Sequence, residues 1–218
     1  MVYKKVYEFE GRTWANVQEE IAHDDIHSEI YCSNNPLIKW LFEKRFEIIY
    51  NLIATKKHLK LLDVGCGDGF FLDKIKDIDL EVYGIDISKK RIERAAKKSR
   101  ATLFQCVAEK MPFKKNFFDI IVCTDVLEHV QNPLQVINEI KRVCKENGIV
   151  FVSFPNELLW MICRALLLRF PIKIVDHINT FSIKSIDRYF ELKHTFAKYI
   201  PHKFFNLASV VGYNIKKF

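Results

Sequence analysis

The segment Leu61-Leu62-Asp63-Val64-Gly65-Cys66-Gly67-Asp68-Gly69-Phe70-Phe71-Leu72 runs from an apolar stretch into three alternating glycines. Such glycines let the backbone take positive φ and let a ligand lie against the main chain with no Cβ in the way. The spacing narrows the choice of ligand. A dinucleotide fingerprint, GxGxxG, needs a small residue at position 70, where this chain has Phe70. Asp63, just ahead of the loop, would repel a pyrophosphate and suits a cationic or amino-bearing ligand. Downstream, Val82-Tyr83-Gly84-Ile85-Asp86 ends in a second acid, 21 residues after Gly65. A carboxylate at that point accepts hydrogen bonds from ribose hydroxyls. An NAD-type oxidoreductase shares the strand–glycine–helix opening, but the spacing and Asp63 count against it.

A second group of reactive side chains is Asp125-Val126-Leu127-Glu128-His129. If this stretch is helical, Asp125, Glu128 and His129 lie on neighbouring faces. Two carboxylates and an imidazole are a ligand set for a divalent ion, which would polarise a vicinal diol or catechol-like oxygen. The plainer alternative is an acid at a helix start with an imidazole in a pocket wall. His177, in Asp176-His177-Ile178-Asn179-Thr180-Phe181-Ser182, is a candidate general base, a further metal ligand, or a structural histidine, with Ser182 the N-cap of a helix. Residues 157–171 are apolar almost all round, far beyond the ~100° stripe of an ordinary surface helix. The excess must meet the core, another subunit, a greasy acceptor or lipid. Trp160 and Phe170 are expected to line the mouth of an acceptor pocket. Arg164, Arg169 and Lys173 would lie near anionic head groups if 157–173 touches a membrane.

These groups need a scaffold, and the pattern of the chain supplies one. Strand-like runs at Leu61–Val64, Leu80–Ile85, Thr102–Cys106, Phe118–Cys123 and Ile149–Phe154 are separated by helix-like Phe70–Ile78, Lys89–Ser99 and Pro133–Cys144. That alternation predicts βαβ units, a mostly parallel doubly wound α/β sheet with helices on both faces, and ligands at the strand C-termini. A helix-spaced stretch, Pro36–Thr55, precedes it. The 218 residues are read as one domain: 1–56 an N-terminal cap, 57–156 the core, 157–218 the apolar insertion and C-terminal part. The net charge of +7 is moderate, and the cationic runs Lys89–Arg91 and Lys97–Arg100 read as a solvated helix face, not a nucleic-acid stripe. No apolar run reaches the ~20 residues that span a bilayer. The N-terminus shows no secretory pattern, and six scattered cysteines without CxxC suit a reducing cytoplasm.

Taken in order, the glycine loop, Asp86, Ala108-Glu109-Lys110-Met111-Pro112-Phe113, Phe118-Asp119-Ile120-Ile121, Val126-Leu127-Glu128-His129-Val130 and Gly148–Phe154 resemble a class I S-adenosylmethionine (SAM)-dependent methyltransferase over about residues 35–190. The resemblance implies a Rossmann-like fold with an antiparallel C-terminal strand. It implies that Gly65, Cys66 and Gly67 pass the cofactor's amino-acid portion, with Asp63 at its amino group. Asp86 would hold the ribose, Ile87 and the Ala108 amide the adenine, and Thr124 the methionine portion, with Glu109 nearby. Val107 stands where the family usually has an acid. The acid-x-x-Glu-His run and the apolar insertion are similar to those of ubiquinone-biosynthesis O-methyltransferases, and the former also to small-RNA 3′-terminal methyltransferases. Tyr31, Asn35–Leu37 and Arg45 fall where cap-helix residues do. The expected activity is methyl transfer to oxygen of a small or lipid-like acceptor. A non-catalytic SAM- or nucleotide-binding module and a macromolecular acceptor are the alternatives.

Overall fold

The computed structural model describes residues 36–166, 177–202 and 205–215. The elements are α1 (Pro36–Ile53), β1 (Leu59–Val64), α2 (Phe70–Lys74), β2 (Leu80–Asp86), α3 (Lys89–Ala96), β3 (Thr102–Gln105), β4 (Phe118–Thr124), α4 (Pro133–Val143), β5 (Cys144–Pro155), α5 (Glu157–Leu166), α6 (Ile183–Phe190), β6 (Phe196–His202) and β7 (Phe205–Asn214). They build one seven-stranded sheet in the order β3-β2-β1-β4-β5-β7-β6. The first five strands are parallel, while β7 runs antiparallel to both β5 and β6. The mostly parallel sheet is as expected, and the antiparallel part is a pair of strands where one was anticipated.

Successive residues of the central strands point to opposite faces, and both faces are covered, which is why β1 and β4 are largely apolar without alternation. Leu61, Ile120, Val122 and Phe151 pack against Phe46, Ile49 and Ile53 of α1 and Phe71 of α2. Leu62, Val64, Ile121, Cys123, Val150 and Val152 pack on the other face against Val136, Ile137 and Ile140 of α4 and Ile186 and Phe190 of α6. Helix starts carry their own signals. The Asn132 side chain accepts from Gln135 N ahead of Pro133. Ser182 and Ser185 form a reciprocal capping box at α6.

Two local readings differ from the structure, and a third is met only over its described part. Helix α2 stops at Lys74 instead of Ile78, because Ile75 turns into the core and the acids Asp77 and Asp79 would oppose the helix C-terminal dipole. Residues 125–130 form a turn, not a helix, for reasons that bear on the site. The apolar segment is helical over Glu157–Leu166, and the rest of it, with Phe170, lies outside the described residues, as does the side chain of Trp160. Within α5, Leu159 packs on the α1 face of the sheet, whereas Leu158 and Ile162 are exposed.

Candidate active site

The parallel strands end along one edge, and the reactive side chains gather there. After β1 the chain turns through Gly65 (φ 70), Gly67 (φ 52) and Gly69 (φ 79). These are left-handed conformations that side chains with a Cβ resist. The amide of Gly67 donates to Asp86 Oδ2 at 2.9 Å, and that of Ser88 to Oδ1 at 2.9 Å, so the acid closing β2 clamps the loop following β1. A Cβ on Gly67 would meet nothing nearer than Arg91 at 4.0 Å. At Gly65 it would fall 2.3 Å from Val126 Cγ2. The glycine loop therefore presents open backbone at Gly67 and packs directly beneath the 125–130 turn at Gly65.

Asp63 is buried, and its Oδ1 has no hydrogen-bond partner among the described residues. Burial, reinforced by the Asp86 charge, pushes its carboxyl well above the usual carboxylate range. An acid left unsatisfied beneath a glycine loop fits a cationic amine. Asp86 is also raised by burial, though the Ser88 and Gly67 amides and the Arg91 charge oppose the rise. Ile87, directly after Asp86, and Ala108, just beyond β3, are half-buried, and Thr124 is buried at the C-terminal end of β4. Burial raises the Glu109 carboxyl, opposed by its own amide and that of Asn132 at the start of α4. Cys66, in the loop, is buried and its thiol pushed up by burial.

The 125–130 turn is held by partners outside itself. Asp125 adopts φ 54, donates its amide to Ser153 O at 3.1 Å and accepts from Ser153 Oγ at 3.2 Å. Its other oxygen forms a buried ion pair with Arg45 of α1. The Glu128 carbonyl is taken by the amides of Ile178 and Asn179, and the Asn179 side chain donates to Leu127 O and Val130 O. With the Leu127, Glu128 and Val130 carbonyls taken from outside, the segment closes a single turn at Val126 O–His129 N and does not run on into a helix.

These bonds bring Glu128, His129 and His177 together, with one ligating atom of each within 4.8 Å of the others. The two imidazoles meet edge to face, centroids 4.7 Å apart. Neither carboxylate oxygen of Glu128 has a hydrogen-bond partner in another described residue, and burial, then the neighbouring Asp125 charge, drives its carboxyl well upward. His177 Nδ1 lies 2.5 Å from Glu157 Oε1. Asp125 is not part of this cluster, since Arg45 and Ser153 hold it. Sequence reasoning left Arg45 unassigned and passed over Ser153, Asn179 and Glu157. Arg45 alone carried a signal: it is a cation four residues before Ile49, on the buried stripe of α1.

A doubly wound sheet with an antiparallel end, a glycine loop clamped by the acid after β2, and titratable groups at the strand C-termini make a Rossmann-like α/β fold with its ligand edge at the strand ends. Residues 62–152 match the family model described as "Methyltransferase domain". Among curated proteins, the ubiquinone biosynthesis O-methyltransferase of Pelagibacter ubique is 36% identical over 107 residues, covering 47% of this chain and 45% of that protein. The enzyme of the same name from Rickettsia typhi is 33% identical over 148 residues, covering 63% and 58%. The chain thus spans about half the length of the curated relatives it matches. Among solved structures, magnesium protoporphyrin IX methyltransferase of Synechocystis, with bound S-adenosylhomocysteine (SAH), superposes with a TM-score of 0.74 at 16% identity, covering 93% of this chain and 99% of that one. A SAM-dependent methyltransferase from Aquifex aeolicus gives 0.65 at 18% identity, covering 86% and 97%. These two likenesses are of fold.

Proposed function

We propose that this chain transfers a methyl group from SAM to an oxygen of a small or lipid-like acceptor. The observation that carries the reading is the Glu128–His129–His177 cluster, seated on a turn that packs directly over the glycine loop. In this reading the Gly65–Gly67 backbone and Asp63 hold the amino-acid portion, Asp63 meeting the ammonium with the oxygen that nothing else satisfies. Asp86 takes the ribose hydroxyls, Ile87 and Ala108 flank the adenine, and Thr124 borders the methionine portion. When bound, SAM supplies an electrophilic methyl on a sulfonium, so the protein's task is chiefly to orient the acceptor and receive its proton. An imidazole of His129 or His177 takes that proton as the oxygen–carbon bond forms and the sulfur keeps the electrons of the broken bond.

The oxygen acceptor is supported by the two curated relatives described above, both named O-methyltransferases, and by histidines where an acceptor hydroxyl would lie. Exposed Leu158 and Ile162, one turn apart on α5, support an apolar acceptor and peripheral contact of 157–173 with a membrane surface. No described helix is long and apolar enough to cross a membrane. The free thiols Cys66, Cys106, Cys123 and Cys144 suit a reducing, cytoplasmic setting.

A second reading adds a divalent ion at Glu128, His129 and His177, favoured by their convergence and by the unpartnered Glu128 carboxylate. Such an ion would polarise the acceptor oxygen. Titration calorimetry with SAM, SAH and NAD, then a screen of phenolic, isoprenoid and glycolipid acceptors with methyl-labelled SAM, tests the main reading. Binding of SAM and SAH but not NAD, with label in an ether-forming product, is expected. Label appearing only in nitrogen- or carbon-methylated products, or in none, overturns it. Turnover that persists after exhaustive chelation removes the ion from the scheme.

A further inference from the structure

We propose that Glu157 is a positioning residue that fixes the tautomer and tilt of the His177 imidazole. The proposal rests on the methyl-transfer reading only for what His177 is positioned to do, since the geometry stands without it.

Glu157 is the first residue of α5, directly after β5, and twenty positions before His177 in the chain. The Asn156 side chain already accepts from Leu159 N, so the start of α5 has a cap without Glu157. An acid at a helix start is ordinarily directed to solvent. Here both Glu157 and His177 are only 8% exposed, and Oε1 meets Nδ1 at 2.5 Å. An ionised carboxylate only accepts. Nδ1 must then carry the proton, which is the reverse of the form free imidazole prefers in water. The lone pair is left on Nε2, the nitrogen on the far edge of the ring, for an acceptor hydroxyl or an ion.

Other bonds fix what Glu157 does not. The amides of Ile178 and Asn179 tie the backbone just after His177 to Glu128 O, at 2.9 and 3.1 Å. The ring of His129 sets one face by its edge-to-face contact at 79°. Backbone anchoring and ring packing leave the imidazole free to flip about its own bond, exchanging Nδ1 and Nε2. Among the described residues, the Glu157 contact is the one that distinguishes the two orientations. It joins the start of α5 to the cluster that would receive the acceptor proton.

The test reads the tautomer directly. In protein carrying 15N-histidine, without SAM or acceptor and at a pH where imidazole is neutral, the His177 ring signals (assigned by loss in His177→Asn) should show a protonated Nδ1 and a bare Nε2. Glu157→Ala should move them toward the Nε2–H form, whereas Glu157→Gln, whose amide oxygen still accepts, should retain the wild-type form. With an acceptor returned by the screen, kcat of Glu157→Ala should fall about 10–100-fold, as for other groups that orient a functional histidine, with KM for SAM unchanged. Glu157→Gln should recover most of that loss. A wild-type His177 protonated on Nε2, or the same tautomer in Glu157→Ala, overturns the proposal. The wild-type spectrum decides even if Glu157→Ala does not fold. Failure to find any oxygen acceptor refutes the methyl-transfer reading and leaves the tautomer result standing.

Discussion

Adding one methyl group to Gly65 or to Gly67 should damage two different properties of the protein. Both residues are left-handed, and alanine in that region costs about 1–2 kcal/mol. At Gly67 the new carbon enters open space, with only Arg91 at 4.0 Å, so the backbone cost is nearly the whole stability cost. At Gly65 it lands 2.3 Å from Val126 Cγ2, and forcing that contact apart adds about 1–3 kcal/mol. The totals are about 1–2 kcal/mol for Gly67→Ala and about 2–5 kcal/mol for Gly65→Ala. At about 2–4 °C per kcal/mol for a chain of this size, Tm should fall by about 2–8 °C and about 4–20 °C respectively. Affinity should respond the other way. Folded Gly67→Ala places its methyl where the cofactor would meet the backbone, and should bind SAH at least about tenfold more weakly, a loss of about 1.4 kcal/mol. Scanning calorimetry and SAH titration on the same samples measure both. If Gly67→Ala binds SAH as wild type does, the open backbone there is not the cofactor cradle. If Gly65→Ala melts with Gly67→Ala, the packing of Val126 on the loop does not carry the cost assigned to it.

Other outcomes follow from the same geometry. Asp86→Ala removes a buried charge-assisted acceptor and should weaken SAH binding by about 1.5–3 kcal/mol, read by titration calorimetry; an unchanged affinity in folded protein refutes its role. Arg45→Met strands Asp125 in a buried setting and should destabilise the protein by about 3–5 kcal/mol, with Arg45→Met/Asp125→Leu recovering part of the loss in denaturant unfolding; strict additivity would deny the pairing. Burial raises the Asp63 carboxyl well above its unfolded value, so the folded state holds the proton longer. Stability from this group therefore declines as pH rises from the ordinary carboxylate range toward the raised value, and Asp63→Asn should flatten that part of the stability–pH profile. SAH affinity should move oppositely, rising with pH as Asp63 ionises to meet the ammonium, and the same variant should abolish that rise; a wild-type affinity flat across the window would contradict the assignment.

The sheet was legible in the chain because its cause is local. Apolar runs at Leu61–Val64, broken only by Asp63, and at Ile120–Cys123 mark strands covered on both faces, and Asn132-Pro133 and Ser182 announce their helices with groups adjacent in sequence. The loop and Asp86 were legible because each lies where a strand ends. The turn at 125–130 was not. Its conformation is decided by Ser153 and by Ile178 and Asn179, which take or supply bonds from far along the chain, so helical spacing predicted the wrong neighbours for Asp125. Glu128 and His129 met His177 through those same bonds, and no pattern within five residues encodes that meeting. Glu157 went unassigned because its partner lies twenty residues away.

The antiparallel placement of β7 has a consequence for how the protein comes to be made. Ile149–Pro155 of β5 pair with Ala208–Asn214, more than fifty residues later, and most of the paired residues are buried. While the ribosome is still short of residue 214, β5 is a long apolar strand with one row of backbone donors and acceptors unmet. Such an edge is a template for pairing with another chain. The tail strand acts as a guard that arrives late, and the interval before its arrival is when a nascent copy is most exposed to aggregation with its neighbours.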